Sequence, residues 1–89
     1  MLQKQFRICN EKGLHLRAAG EFVKEASKYP CDIWLAKDDM KVNAKSIMSI
    51  LALIAGKNST ITIMTEGDKA EEALENLGKL VLDGFGENE

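Results

Sequence analysis

Cys31-Asp32-Ile33-Trp34-Leu35-Ala36-Lys37-Asp38-Asp39-Met40-Lys41-Val42-Asn43 is the stretch on which the architecture turns. Cys31, Ile33 and Leu35 alternate with Asp32, Trp34 and Ala36, the period of two that marks a strand with one face on a core. Lys37-Asp38-Asp39 then turns the chain back into a short strand from Met40 to Asn43, which makes the pair a hairpin. Trp34 projects to the side away from Ile33 and Leu35 and is expected to be partly exposed.

Elements of both kinds flank this hairpin. Upstream, Leu2, Lys4, Phe6 and Ile8 alternate with Gln3, Gln5 and Arg7, a first strand, and Asn10-Glu11-Lys12-Gly13 has the composition of a loop. Ala19, Phe22, Val23 and Ala26 then follow helical spacing until Tyr29-Pro30. Downstream, Ser46 precedes a short helix that is apolar on nearly every side and stops at Gly56. Thr60 to Glu66 is a β-branched strand with Ile61 and Ile63 on one face, closed by Gly67-Asp68. Asp68 with Glu71 resembles a capping box, opening a last helix whose Ala70, Ala73, Leu74, Leu77 and Val81 form an apolar stripe until Gly84. The order βαββαβα predicts an α+β open-faced sandwich: a four-stranded, mostly antiparallel sheet with three helices on one face and the other face wet.

Eighty-nine residues enclose a single core, so one domain over residues 1–89 is expected. Apolar residues at 45% and charged residues at 29% are the balance of a folded protein. The net charge is −2, with acids gathered from Glu66 to Glu89, which argues against nucleic acid as a partner. Met1 to Gln5 has no apolar segment of a leader, and the longest apolar run, Ile50 to Ala55, is too short to span a bilayer. A cytoplasmic protein with no membrane contact is expected. Cys9 and Cys31 have neither metal-ligand nor redox spacing and are read as reduced thiols.

The one histidine lies in Gly13-Leu14-His15-Leu16-Arg17-Ala18-Ala19, between the loop and the first helix. A helix N-terminus offers N–H groups without intrahelical partners and the positive end of the dipole, so a phosphate on the ring would meet ready donors. Arg17 adds a guanidinium suited to phosphate oxygens. A neutral imidazole is nucleophilic near physiological pH, and an N–P bond is labile enough to pass its phosphoryl group on. A histidine that merely caps a surface helix would look the same, and position does not separate the two. Nucleophile-base sets, metal motifs and nucleotide loops are absent, so no metal and no cofactor are expected.

Gly13-Leu14-His15-Leu16-Arg17-Ala18-Ala19 resembles the active-site signature of the histidine-containing phosphocarrier protein HPr family of the bacterial phosphoenolpyruvate-dependent phosphotransferase system, and Val42-Asn43-Ala44-Lys45-Ser46-Ile47-Met48-Ser49 resembles the segment carrying that family's regulatory serine. Chain length and element order agree, so the likeness covers the whole chain. It implies a phosphocarrier rather than an enzyme: enzyme I would place the phosphoryl group on Nδ1 of His15, an enzyme IIA would accept it, and Arg17 would steady its oxygens. The pattern departs at Leu16, where a small residue usually follows the histidine, and at Ala18, where a proline usually follows the arginine. Losing proline removes a preset φ and restores one N–H donor.

Ser46 is a natural N-cap for the second helix, and the resemblance adds regulatory phosphorylation there by an HPr kinase/phosphorylase. Leu16, Gly20, Ile47, Met48 and Leu51 do not all fit the core stripes, and matching positions dock partners in the family; an exposed apolar patch of this kind marks an interaction site. A monomer is expected. Two other readings stand beside the carrier: a nitrogen-branch regulatory phosphocarrier, to which Leu82-Asp83-Gly84-Phe85-Gly86-Glu87 is similar, and an interaction module acting only through Ser46. An RNA-binding domain fits the element order but lacks a basic face and strand aromatics for stacking.

Overall fold

The computed structural model describes residues 1–86, with β1 (Leu2–Arg7), α1 (Leu16–Ala26), β2 (Asp32–Lys37), β3 (Met40–Asn43), α2 (Ile47–Leu51), β4 (Thr60–Glu66) and α3 (Ala70–Leu82) in the order expected, followed by a 3-10 turn at Gly84–Gly86. The sheet order is β1-β4-β2-β3, and every pairing is antiparallel. The β-branched alternation of β4 puts Ile61, Ile63 and Thr65 under the helices, fully buried, while Thr62 and Met64 stay half-exposed. Register aligns the neighbours on the same face: Phe6 opposite Ile61, Leu35 opposite Ile63, Ile33 opposite Thr65. The buried Thr65 hydroxyl donates to the Ala70 carbonyl at 2.8 Å, which satisfies it and draws the start of α3 onto the sheet.

Helix α1 buries Ala18, Ala19, Phe22 and Ala26, and α3 buries Ala70, Ala73, Leu77, Gly78 and Val81. Phe22 has no exposed surface, and truncating such a ring to Ala costs about 3–5 kcal/mol. Tyr29, after α1, ties that helix to α3: Asn76 Nδ2 donates to its hydroxyl at 2.6 Å, and the hydroxyl donates to Glu25 Oε2 at 2.9 Å. On the opposite face of the sheet Gln3, Met64, Trp34 and Asn43 stand in one row, and the Lys41 ammonium lies 4.6 Å over the Trp34 ring, which leaves Trp34 half-buried as its alternation predicts.

Three local expectations are corrected. Leu2, placed on the core face by alternation, is exposed, because it stands at the first position of an edge strand, in an open depression beside the start of α3. The Asp68–Glu71 capping box does not form. Lys69, in left-handed conformation at φ 66°, holds the cap position without a side-chain bond, and the Gly67 carbonyl accepts from Ala70 N–H at 3.2 Å. The second helix ends at Leu51, not Gly56. Leu53 N–H turns in to the Ile50 carbonyl and Ile54 N–H to that of Leu51, and Ile54 then takes φ 50°, which no helix can continue.

Candidate functional site

The loop that delivers His15 is held from two directions. Gly13 N–H donates to the Asn10 carbonyl at 3.1 Å and Asn10 Nδ2 to the Gly13 carbonyl at 2.8 Å, closing a tight turn. Leu14 is buried, and its N–H donates to the Ala55 carbonyl at 2.8 Å. Gly13 sits at φ +65° with the Ala55–Gly56 backbone pressed against it: a Cβ there would lie 2.4 Å from the Ala55 oxygen. Only glycine meets both conditions.

The chain so held places His15 at the N-cap of α1, with extended backbone (φ −80°) and its carbonyl accepting from Ala19 N–H at 2.9 Å. His15 is half-buried at this position, and its side chain makes no capping hydrogen bond to the first turn. The first turn of this eleven-residue helix holds no acidic residue, so the helix itself sets no carboxylate against an anion there. Arg17 is exposed in that same first turn. Ala18, at the position where proline is usual in the resemblance, is completely buried against the core.

His15 lines a recess of about 310 Å³ with Lys12, Leu14, Leu51, Ile54, Ala55 and Gly56. Of the docking positions read from the sequence, Leu16 is 66% and Met48 76% exposed, and open space lies over Gly20. Ile47 and Leu51 are half-buried and pack against the core, so they contribute edges rather than whole side chains. Sequence reading missed Ile54, which is 80% exposed and shares the recess with His15. The signal was available: six consecutive apolar residues from Ile50 to Ala55 exceed what one short element can bury.

Ser46 caps α2 as expected, its hydroxyl oxygen accepting from Ser49 N–H at 3.3 Å, and it is half-buried. Its neighbour Lys45 is engaged elsewhere, with Nζ donating to the Tyr29 carbonyl at 2.7 Å and the Cys31 carbonyl at 2.8 Å. That pair of bonds fixes the approach of the chain to α2. Among the described residues no three His, Cys, Asp or Glu side chains gather where they could hold a metal ion, and no helix is long and apolar enough to cross a membrane.

The family model for the HPr component phosphorylation site of the phosphotransferase system matches residues 2–83. Phosphocarrier protein HPr of Neisseria meningitidis is 39% identical over 89 residues, all of both chains. The HPr-like protein Crh of Halalkalibacterium halodurans is 46% identical over 77 residues, 86% of this chain and 92% of that one. HPr of Thermoanaerobacter tengcongensis, solved as HPr-C-His, superposes with a TM-score of 0.95 at 43% identity over the whole of both chains. The same protein solved as a dimer gives 0.78 at 44% identity over 98% of this chain and 100% of that one, which counts against the monomer expected from the sequence. By fold, by sequence and by the matched segment, this chain belongs to the HPr family of phosphocarrier proteins of the phosphotransferase system.

Proposed function

We propose that the chain is a single phosphocarrier domain that accepts a phosphoryl group on His15 from phosphorylated enzyme I and passes it to an enzyme IIA. It serves a cytoplasmic sugar-transport relay in which it is a stoichiometric intermediate. The Nδ1 lone pair of neutral His15 attacks phosphorus, and the bond to the donor breaks as the N–P bond forms. The N–H groups of the first turn of α1 and the Arg17 guanidinium receive the phosphoryl oxygens. The observation that carries this reading is the half-exposed ring at the N-cap of an eleven-residue helix whose first turn has no carboxylate. Ser46 is then a regulatory site for an HPr kinase/phosphorylase, a reading supported by its half-buried position at the head of α2.

Incubation with enzyme I and phosphoenolpyruvate should attach one acid-labile, base-stable phosphate, absent in His15→Ala. No label with a competent enzyme I removes the carrier reading and leaves an interaction module acting through Ser46.

A further inference from the structure

Lys12 belongs to the loop that delivers His15, and the turn around it is closed twice. Gly13 N–H donates to the Asn10 carbonyl and Asn10 Nδ2 to the Gly13 carbonyl, so the two central residues, Glu11 and Lys12, project from a fixed backbone. Their side chains take different directions. Both oxygens of Glu11 accept from Lys57 Nζ, at 2.9 and 3.1 Å, whereas Lys12 is exposed and lines the recess that His15 also lines. Among the described residues no hydrogen bond or ion pair engages the Lys12 ammonium. The carboxylate next to it in sequence is neutralised by another cation, and the Lys12 charge stays uncompensated.

A phosphoryl group on a side chain brings a charge of roughly −2 and three acceptor oxygens. The N-terminus of α1 offers about half a positive charge, and the Arg17 guanidinium one more, which together fall short of that load. Lys12 supplies the missing charge from the loop, on a backbone that the double closure of the turn holds in place.

We infer that Lys12 is a further ligand of the phosphoryl group, its ammonium donating to a phosphoryl oxygen from the loop while Arg17 and the N–H groups of α1 donate from the helix. The inference rests on the phosphocarrier reading and deepens it, by naming a residue of this chain that sets how tightly the phosphoryl group is held. The contact exists only once the N–P bond is made, so it stabilises the phosphorylated chain over the free one. The Glu11–Lys57 pair preserves it by occupying the carboxylate that would otherwise compete for Lys12.

The test is an exchange equilibrium, which depends on the two carriers alone and not on how either docks to its partners. Phosphorylated wild type is mixed with unphosphorylated variant and a trace of enzyme I. The N–P bond of one carrier breaks, enzyme I holds the phosphoryl group, and the N–P bond of the other forms; intact-mass spectrometry reads both labelled fractions at equilibrium. Lys12→Met, similar in length and uncharged, is expected to leave the equilibrium roughly threefold in favour of wild type, the worth of one exposed ion pair. Lys12→Arg is expected to exchange close to evenly, and both variants to melt with wild type, because Lys12 is exposed. Even exchange with Lys12→Met overturns the inference. So does a Lys12→Arg chain as poor as Lys12→Met, or a Lys12→Met chain that melts well below wild type. A wild-type chain that takes up no phosphate removes the carrier reading itself, whereas a labelled wild type that exchanges evenly with Lys12→Met removes this inference alone.

Discussion

Leu14 N–H donates to the Ala55 carbonyl at 2.8 Å, so the residue before His15 hangs from the turn after α2 and not from its own helix. Two segments about forty residues apart in sequence thus share responsibility for one imidazole. Gly13 is the hinge of that arrangement, with positive φ and backbone atoms of Ala55 and Gly56 within 3 Å of where a Cβ would stand.

Gly13→Ala is therefore expected to destabilise the protein by about 3 kcal/mol, of which about 1 is the left-handed backbone and about 2 the overpacking against a rigid backbone neighbour. Urea denaturation measures it. In the folded fraction, labelling of His15 should slow, because relief of the clash moves Leu14 away from Ala55. A change below about 0.5 kcal/mol would show that the two loops separate freely and that the Ala55 bond does not position the histidine.

Ser46 separates cap from switch. Ser46→Ala removes the oxygen that accepts from Ser49 N–H and should cost about 1 kcal/mol. Ser46→Asp keeps a good cap and should leave the melting temperature nearly unchanged, yet slow phosphoryl acceptance at His15 by adding negative charge to the docking side. Equal phosphorylation rates for Asp and wild type would confine Ser46 to capping α2.

The junction of α1 and α3 predicts a stability plateau that falls at both pH extremes. The Lys28 hydrogen bond, helped by the Tyr29 hydroxyl and opposed by burial, holds the Glu25 carboxyl below its ordinary value of 4.5. A carboxylate depressed in the fold contributes stability above the ordinary value, which is lost as pH falls through the folded one. Burial, reinforced by Glu25 and opposed by the Asn76 bond, raises the Tyr29 phenol above its ordinary 10.0. That contribution is complete below 10.0 and is lost as pH rises through the folded value. Urea midpoints across pH should show Glu25→Gln flattening part of the acid limb. Tyr29→Phe should flatten part of the alkaline limb and cost about 1 kcal/mol at neutral pH. An alkaline limb unchanged in Tyr29→Phe would assign it to other groups.

The elements, their order and the faces they bury were legible in the sequence, because alternation in β1, β2 and β4 and the stripes of α1 and α3 are local consequences of backbone geometry. The places of His15, Arg17 and Ser46 were legible for the same reason, as each sits at or just inside the first turn of a helix whose start a short motif announces. Tertiary structure alone decided where the long-range partners stand. No local pattern could tell that Lys37 would reach the carbonyls of Leu53 and Ile54, or that α2 would stop at Leu51 with an isoleucine turned outward after it. Nor could it tell that Lys69, rather than Asp68, would cap α3. Periodicity reports which face of an element prefers the core, whereas the ends of elements and the turns between them are set by hydrogen bonds from residues far away in the chain, which exist only once the sheet and helices have packed.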